Sequence, residues 1–292
     1  METQYALAVL NGGQLAKLDE IDRLFMSEGG NTSLAYEFKP TRLKMSPGGG
    51  KSFQDAEGNT VPAPLVGYVI DAVKTRAYWP TKQEDGGNPI PFCSSMGAVT
   101  GFVNPHYLPV DLLGAAGAAY PHPALMQIDR GLQLSANGYD CASCPMARFG
   151  SVHQGGEGAG QACKSKVLFM FLPQGWFQPC LLSVPATSIK AWSSYASNLK
   201  QKTGREFYAF KTKIEVEQVR NKANIAYGQM KFVNDGPIES IETAQAVLTL
   251  RRELRSYLYD RDVAIMSDDE VIEASGRVVD PATGEVLEGA PV

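Results

Sequence analysis

The residues with the most chemistry to offer are five cysteines: Cys93, Cys141, Cys144, Cys163 and Cys180. Cys141 and Cys144 form a C-x2-C pair inside the turn-rich stretch NGYDCASCPMARFGS, residues 137–151. A tight turn lets two thiolates point at one ion, which is half of a tetrahedral zinc shell. Cys163 lies 19 residues after Cys144 in QACKSK, and Cys93 lies 48 residues before Cys141 in PFCSS. Both sit in polar, turn-like surroundings. Cys180, in the apolar run QPCLLSV, reads instead as a packed core thiol. An odd count and an expected reducing compartment disfavour a disulfide framework. The spacing therefore predicts a closed, structural zinc site made by Cys93, Cys141, Cys144 and Cys163. Two alternatives stay open. One puts His153 in place of Cys93. The other makes Cys141 and Cys144 a redox pair, although no strand-to-helix thioredoxin pattern flanks them.

Other chemistry finds less support. His106, His122 and His153 are the three histidines, and none lies in an H-x-E or H-E-x-x-H arrangement. Four thiolates would leave no open position for a metal-bound water. PGGGKS, residues 47–52, resembles the end of a phosphate-binding loop. Met45 stands where that loop needs glycine, and no helical pattern follows. No G-x-S-x-G occurs. The expectation is a protein that is not an enzyme.

A second pattern is cationic and aromatic. KTRAYWP interleaves Lys74 and Arg76 with Tyr78 and Trp79. REFYAFKTK does the same with Phe207, Tyr208, Lys211 and Lys213, and YGQMKF adds Tyr227 and Lys231. Arg220 and Lys222 make the turn RNKAN basic. Positive charge along a groove with aromatic faces for stacking is what a single-stranded nucleic acid needs. These twelve residues are the candidate nucleic-acid contacts.

Elements must hold these groups in place. GYVIDAVKTRAYWP, KVLFMFLP (166–173) and CLLSVP (180–185) read as strands, with Val69, Val73 and Ala77 alternating only roughly in the first. Turn clusters SPGGG and AEGN bracket a further short strand. TSIKAWSSYASNLKQKTG reads as a helix capped by Thr187 or Ser188, with Ile189, Trp192, Tyr195 and Leu199 on one face and Gly204 past its end. A long hairpin follows, with Phe210, Thr212, Ile214 and Val216 facing one way. The helix from about Glu239 to Tyr259 is expected to turn Ile241, Ala244, Val247 or Leu248, Leu254 and Leu258 inward. Residues 1–30 read as a strand (Tyr5 to Leu10) and a helix (Asp19 to Met26). The region of about 81–163 is irregular, and it carries the four candidate ligands. A metal would supply the fixing energy it lacks.

The net charge of −4 hides an asymmetry. Residues 260–292 hold nine acids and two bases, a balance of −7, so the preceding body is about +3. No apolar run reaches the ~18 residues that span a bilayer. No basic, apolar leader opens the chain, so a cytoplasmic protein with no membrane partner is expected.

The ordered motifs GYVID…RAYWP, PFCSS, YDCASCPMARFGS, GQACKSKVLFMFLP and LLSVPATSIKAWSSY resemble a family of phage, prophage and mobile-element proteins. That family is regarded as single-stranded DNA-binding, with an OB-type core and a cysteine cluster. The likeness covers roughly residues 64–200 and nominates the same four cysteines. It does not identify DNA contacts. The resulting expectation is an α+β, β-rich fold. An OB-like β-barrel core within residues 1–265 would carry a zinc-stabilised irregular insertion and two flanking helices. Residues 266–292 would be a disordered acidic tail. The function implied is sequence-tolerant binding of single-stranded DNA during replication or recombination, in a bacterial host cytoplasm. The tail would recruit replication or recombination proteins. The rival readings are a zinc-stabilised protein–protein adaptor, a thiol oxidoreductase using Cys141 and Cys144, and a duplex-binding regulator, for which no helix-turn-helix is evident. Oligomeric state is left open.

Overall fold

A computed structural model describes residues 40–46, 50–55, 57–79, 91–104, 138–151, 161–220 and 226–259, with two short backbone pairs near the C-terminus. The expected strand and helix in residues 1–30, the three histidines and Lys222 lie outside the described residues.

One mixed sheet organises the described chain. Its strands are β1 (Arg42–Met45), β2 (Ser52–Gln54), β3 (Thr60–Pro62), β4 (Leu65–Tyr78), β5 (Cys93–Met96), β6 (Thr100–Val103), β7 (Tyr139–Asp140), β8 (Cys163–Pro173) and β9 (Cys180–Val184). They run in the order β3-β2-β1-β9-β8-β4-β5-β6-β7. The β1–β9 pairing is parallel, and the other described pairings are antiparallel. A hairpin of β10 (Phe210–Arg220) and β11 (Ala226–Pro237) hangs on the first half of β4 through Lys211–Ile214. Among the described residues two helices pack on the sheet, α1 (Ala186–Thr203) and α2 (Ile241–Leu258). The protein is therefore α+β and sheet-rich. Among the described residues the sheet is open, and no helix is long and apolar enough to cross a membrane.

The sheet is covered on both faces, so β8 is buried along nearly its whole length. That is why KVLFMFLP is continuously apolar instead of alternating. On one face α1 packs Trp192, Tyr195 and Leu199 against Phe169, Ile214 and Phe232. Trp192 lies with its ring 4.4 Å from Phe169, 5.1 Å from Phe207 and 5.3 Å from Phe232. This core also takes in Leu43 and Phe53 from β1 and β2, together with Met230 from β11. The sheet curls far enough for its distant strands to share one interior. On the other face α2 lays Ala246, Val247, Leu250 and Leu258 over Ile70, Leu168 and Met170.

A bulge in β4 lets the strand serve both faces. Its register with β8 shifts between Val69 and Asp71. Val69 and Ala72 consequently join the α1 core, while Ile70 and Val73 join the α2 core. The rough alternation of Val69, Val73 and Ala77 has this cause, because an extra residue reverses which side chains face which way. The bulge also turns buried Asp71 toward α2. There Arg251 Nη2 stands 3.4 Å from Oδ1 and Arg255 Nε stands 3.9 Å from Oδ2.

Two helix readings need correction. Pro185 is the N-cap of α1. Thr187 and Ser188 lie inside the first turn and bond to β11 instead. Thr187 Oγ1 donates to the Gly228 carbonyl at 3.4 Å, and the Met230 N–H donates to Ser188 Oγ at 2.8 Å. In α2 the buried stripe runs through Ala246, Val247, Leu250 and Leu258, with Leu254 packed alongside. Ile241 is 72% exposed and Leu248 46% exposed. Ile241 is five residues before Ala246, about 500° around the axis at 100° per residue, and so falls off the stripe. Within the stretch expected to be disordered, Val278–Val279 pairs with Val286–Leu287 in a two-stranded antiparallel ribbon.

Candidate functional site

Beyond the bulge, β4 runs out of the α1 and α2 cores and into a third, smaller one. Tyr78 pairs with Cys93 on one side and with Cys163 on the other. Adjacent β6 and β7 bring in Gly101 and Tyr139, which are themselves paired. The chain then turns through Cys141 and Cys144 into a single 3-10 turn, Pro145–Ala147. Asp140 fixes that turn by accepting hydrogen bonds from the backbone N–H groups of Ala142 and Ser143. Hydrogen bonds from Ser143 and Ala142 hold the Asp140 carboxyl below its ordinary range. Tyr78, Phe92, Tyr139 and Met146 pack around the result.

The four nominated cysteines line one cavity, with Arg76, Ser94, Ser95, Gly101, Tyr139 and Ala147. All four are buried and none is in a disulfide. Room for the centre of a water-sized sphere is about 10 Å³, enough for one small ion or water. A Cβ placed on Gly101 would lie 2.9 Å from Cys93 Sγ and 3.5 Å from Cys141 Sγ, so the bare backbone is what leaves those sulfurs their space. Among the described residues, no three or more His, Cys, Asp or Glu are arranged to hold a metal ion as they stand. Cys93 and Cys163 flank Tyr78 on adjacent strands, which sets their backbones roughly 10 Å apart. Four cysteine thiols lining one cavity are the donor set that a tetrathiolate centre uses. Burial pushes the Cys144 thiol up. Cys180 lies in the α1 core, fully buried and apart from this cavity.

The cationic and aromatic candidates do not form one surface. Tyr78 is 3% exposed and packs edge-on against Phe92, so it offers no stacking face. Phe207 lies against Trp192, and Tyr208 sits under the Arg251 guanidinium at 4.5 Å. Trp79 and Tyr227 are half-buried. On the hairpin Lys211, Lys213 and Lys231 each meet a carboxylate. Lys211 is 3.5 Å from Asp235, Lys213 is 2.6 Å from Glu215, and Lys231 is 3.1 Å from Glu217. That strip is locally balanced in charge. Arg220 is exposed at the end of β10. Lys74 is exposed on β4 with no carboxylate within salt-bridge distance among the described residues. Partial burial and the neighbouring Arg76 lower its pKa.

Sequence reasoning placed Arg76 on the surface, and the structure puts it in the cysteine cavity. The available signal was strand periodicity, since Arg76 lies two residues from Tyr78 and so shares its face. Gly101, Ser94 and Ser95 carried no comparable signal.

No family model matches the chain, and no curated protein or solved structure is similar to it.

Proposed function

We propose that the protein is a non-enzymatic, sequence-tolerant binder of single-stranded DNA, of the kind its ordered cysteine motifs resemble. Cys93, Cys141, Cys144 and Cys163 would hold a structural zinc. The observation that carries the reading is their convergence on one cavity from three separate stretches of chain. Motif resemblance alone does not require that convergence. A curled sheet whose distant strands share a core also suits an OB-type barrel. When bound, zinc would supply the crosslink that ties β5, β8 and the Cys141–Cys144 turn together. Lys74 is the leading phosphate contact, because it is exposed and, among the described residues, lacks the carboxylate partner that Lys211, Lys213 and Lys231 each have.

A labelled oligo-dT, followed by fluorescence anisotropy at two salt concentrations with duplex competitor, tests this. Expected are binding that weakens with salt, survives the duplex, and weakens severalfold in Lys74→Ala. Loss of one phosphate contact lowers the salt slope by about 0.7 on a single strand. Absence of binding at low salt, from folded and metal-loaded protein, would sink the proposal.

The adaptor reading draws on a different observation. Val99 and Phe149 are 68% and 43% exposed, and the Val99 carbonyl accepts a hydrogen bond from the Cys141 N–H. Exposed apolar side chains beside the centre suit a protein partner, whose binding would be insensitive to salt.

A further inference from the structure

We infer that Arg76 is the counter-charge of the cysteine centre, a positioning residue that holds the four thiolates in their metal-binding state. The inference rests on the reading that this cavity takes a divalent metal. Four thiolates around a divalent cation carry a net charge of −2. In a cavity lined by Tyr139 and Ala147, within a core that also holds Phe92 and Met146, that charge is costly unless something nearby offsets it. Of the residues lining the cavity, Arg76 alone carries a positive charge.

Its own hydrogen bonding points the same way. Arg76 Nε and Nη1 are buried, and among the described residues neither has a hydrogen-bond partner. A guanidinium has five N–H donors and no means of losing its charge in a protein. Burying two of its nitrogens without an acceptor is therefore unfavourable in the structure as it stands. The flanking strands offer little relief. Ser95 and Ser165 pair with Arg76 on its two sides, and Ser95 Oγ already donates to the Thr100 carbonyl. Thiolate sulfurs closing on a metal would supply the missing acceptors. The guanidinium faces the cavity from the β4 side. Such outer contacts orient ligands and tune affinity.

The test uses the full chain, reduced and stripped of metal, titrated with Co²⁺. Thiolate-to-metal charge-transfer absorbance reports binding, and competition between Zn²⁺ and a chromogenic chelator gives relative affinity. The wild type is expected to take one Co²⁺ per chain with a tetrahedral thiolate spectrum. Arg76→Met should weaken binding by about 10-fold or more, the range seen when an outer partner is lost. Its spectrum should keep the same shape, because all four ligands remain. Arg76→Lys should recover most of the loss. If Arg76→Met fails to fold, as judged by far-UV circular dichroism, Arg76→Gln keeps donors without charge and should show the same weakening. Affinity in the neutral variant equal to wild type would overturn the inference. A wild-type protein that takes up no Co²⁺ with its thiols reduced would remove the metal reading itself, and this inference with it.

Discussion

At the scale of single residues, Gly101 decides how much room the cysteine cavity has. Gly101→Ala would set a methyl carbon 2.9 Å from Cys93 Sγ, closer than such contacts occur, so the sulfur must move. The expected outcome is weaker Co²⁺ binding with little change in far-UV circular dichroism. Unchanged affinity would mean that Cys93 is not a ligand. That Cys93, Cys141, Cys144 and Cys163 group together while Cys180 lies apart was legible before any coordinates, because the sequence around the four is polar and that around the fifth is apolar. Burial pushes the Cys180 thiol up, which suits an inert core position. Arg76 and Tyr78 were harder to read. Interleaved cations and rings look alike whether they line a groove or a small core, and only the partner strands distinguish the two.

At the scale of elements, the link between β4 and α2 depends on one buried carboxylate. Asp71→Ala removes the acceptor facing Arg251 and Arg255. Arg251 keeps its place over Tyr208 and is partly exposed, so the loss should be moderate, about 2 kcal/mol. Urea denaturation measures it, and a change below a few tenths would show that the pair contributes little. The strands and helices themselves were largely evident from apolar runs and helical spacing. The bulge was not, because one extra residue leaves only a blurred alternation as its trace. The hydroxyls of Thr187 and Ser188 were misassigned for a related reason. A capping residue and a residue that bonds a distant strand have the same chemistry, and β11 lies about forty positions further along the chain.

At the scale of the whole molecule, two helices cover the two faces of one curled sheet, and the cysteine core sits beyond the end of both coverings. The sequence announced a β-rich fold, since β-branched and aromatic runs dominate it. How the sheet curls rests on contacts between strands far apart in the chain, and no local pattern records those. The acidic C-terminal stretch brings the chain from about +3 to −4, yet part of it pairs as a ribbon.

β4 belongs to the main body and to the cysteine core at once, and this gives a single strand two clocks. Amides from Leu65 to Val73 lie in ladders flanked by both large cores. Those from Thr75 to Tyr78 pair with β5 and β8, at the ends where Cys93 and Cys163 reside. Removing metal with a chelator should let deuterium enter the second set faster while the first holds its protection. Equal acceleration along the whole strand would mean that the cysteine core opens only when everything does. The split result would make the far half of β4 a region that the cell's metal supply can loosen without unfolding the rest.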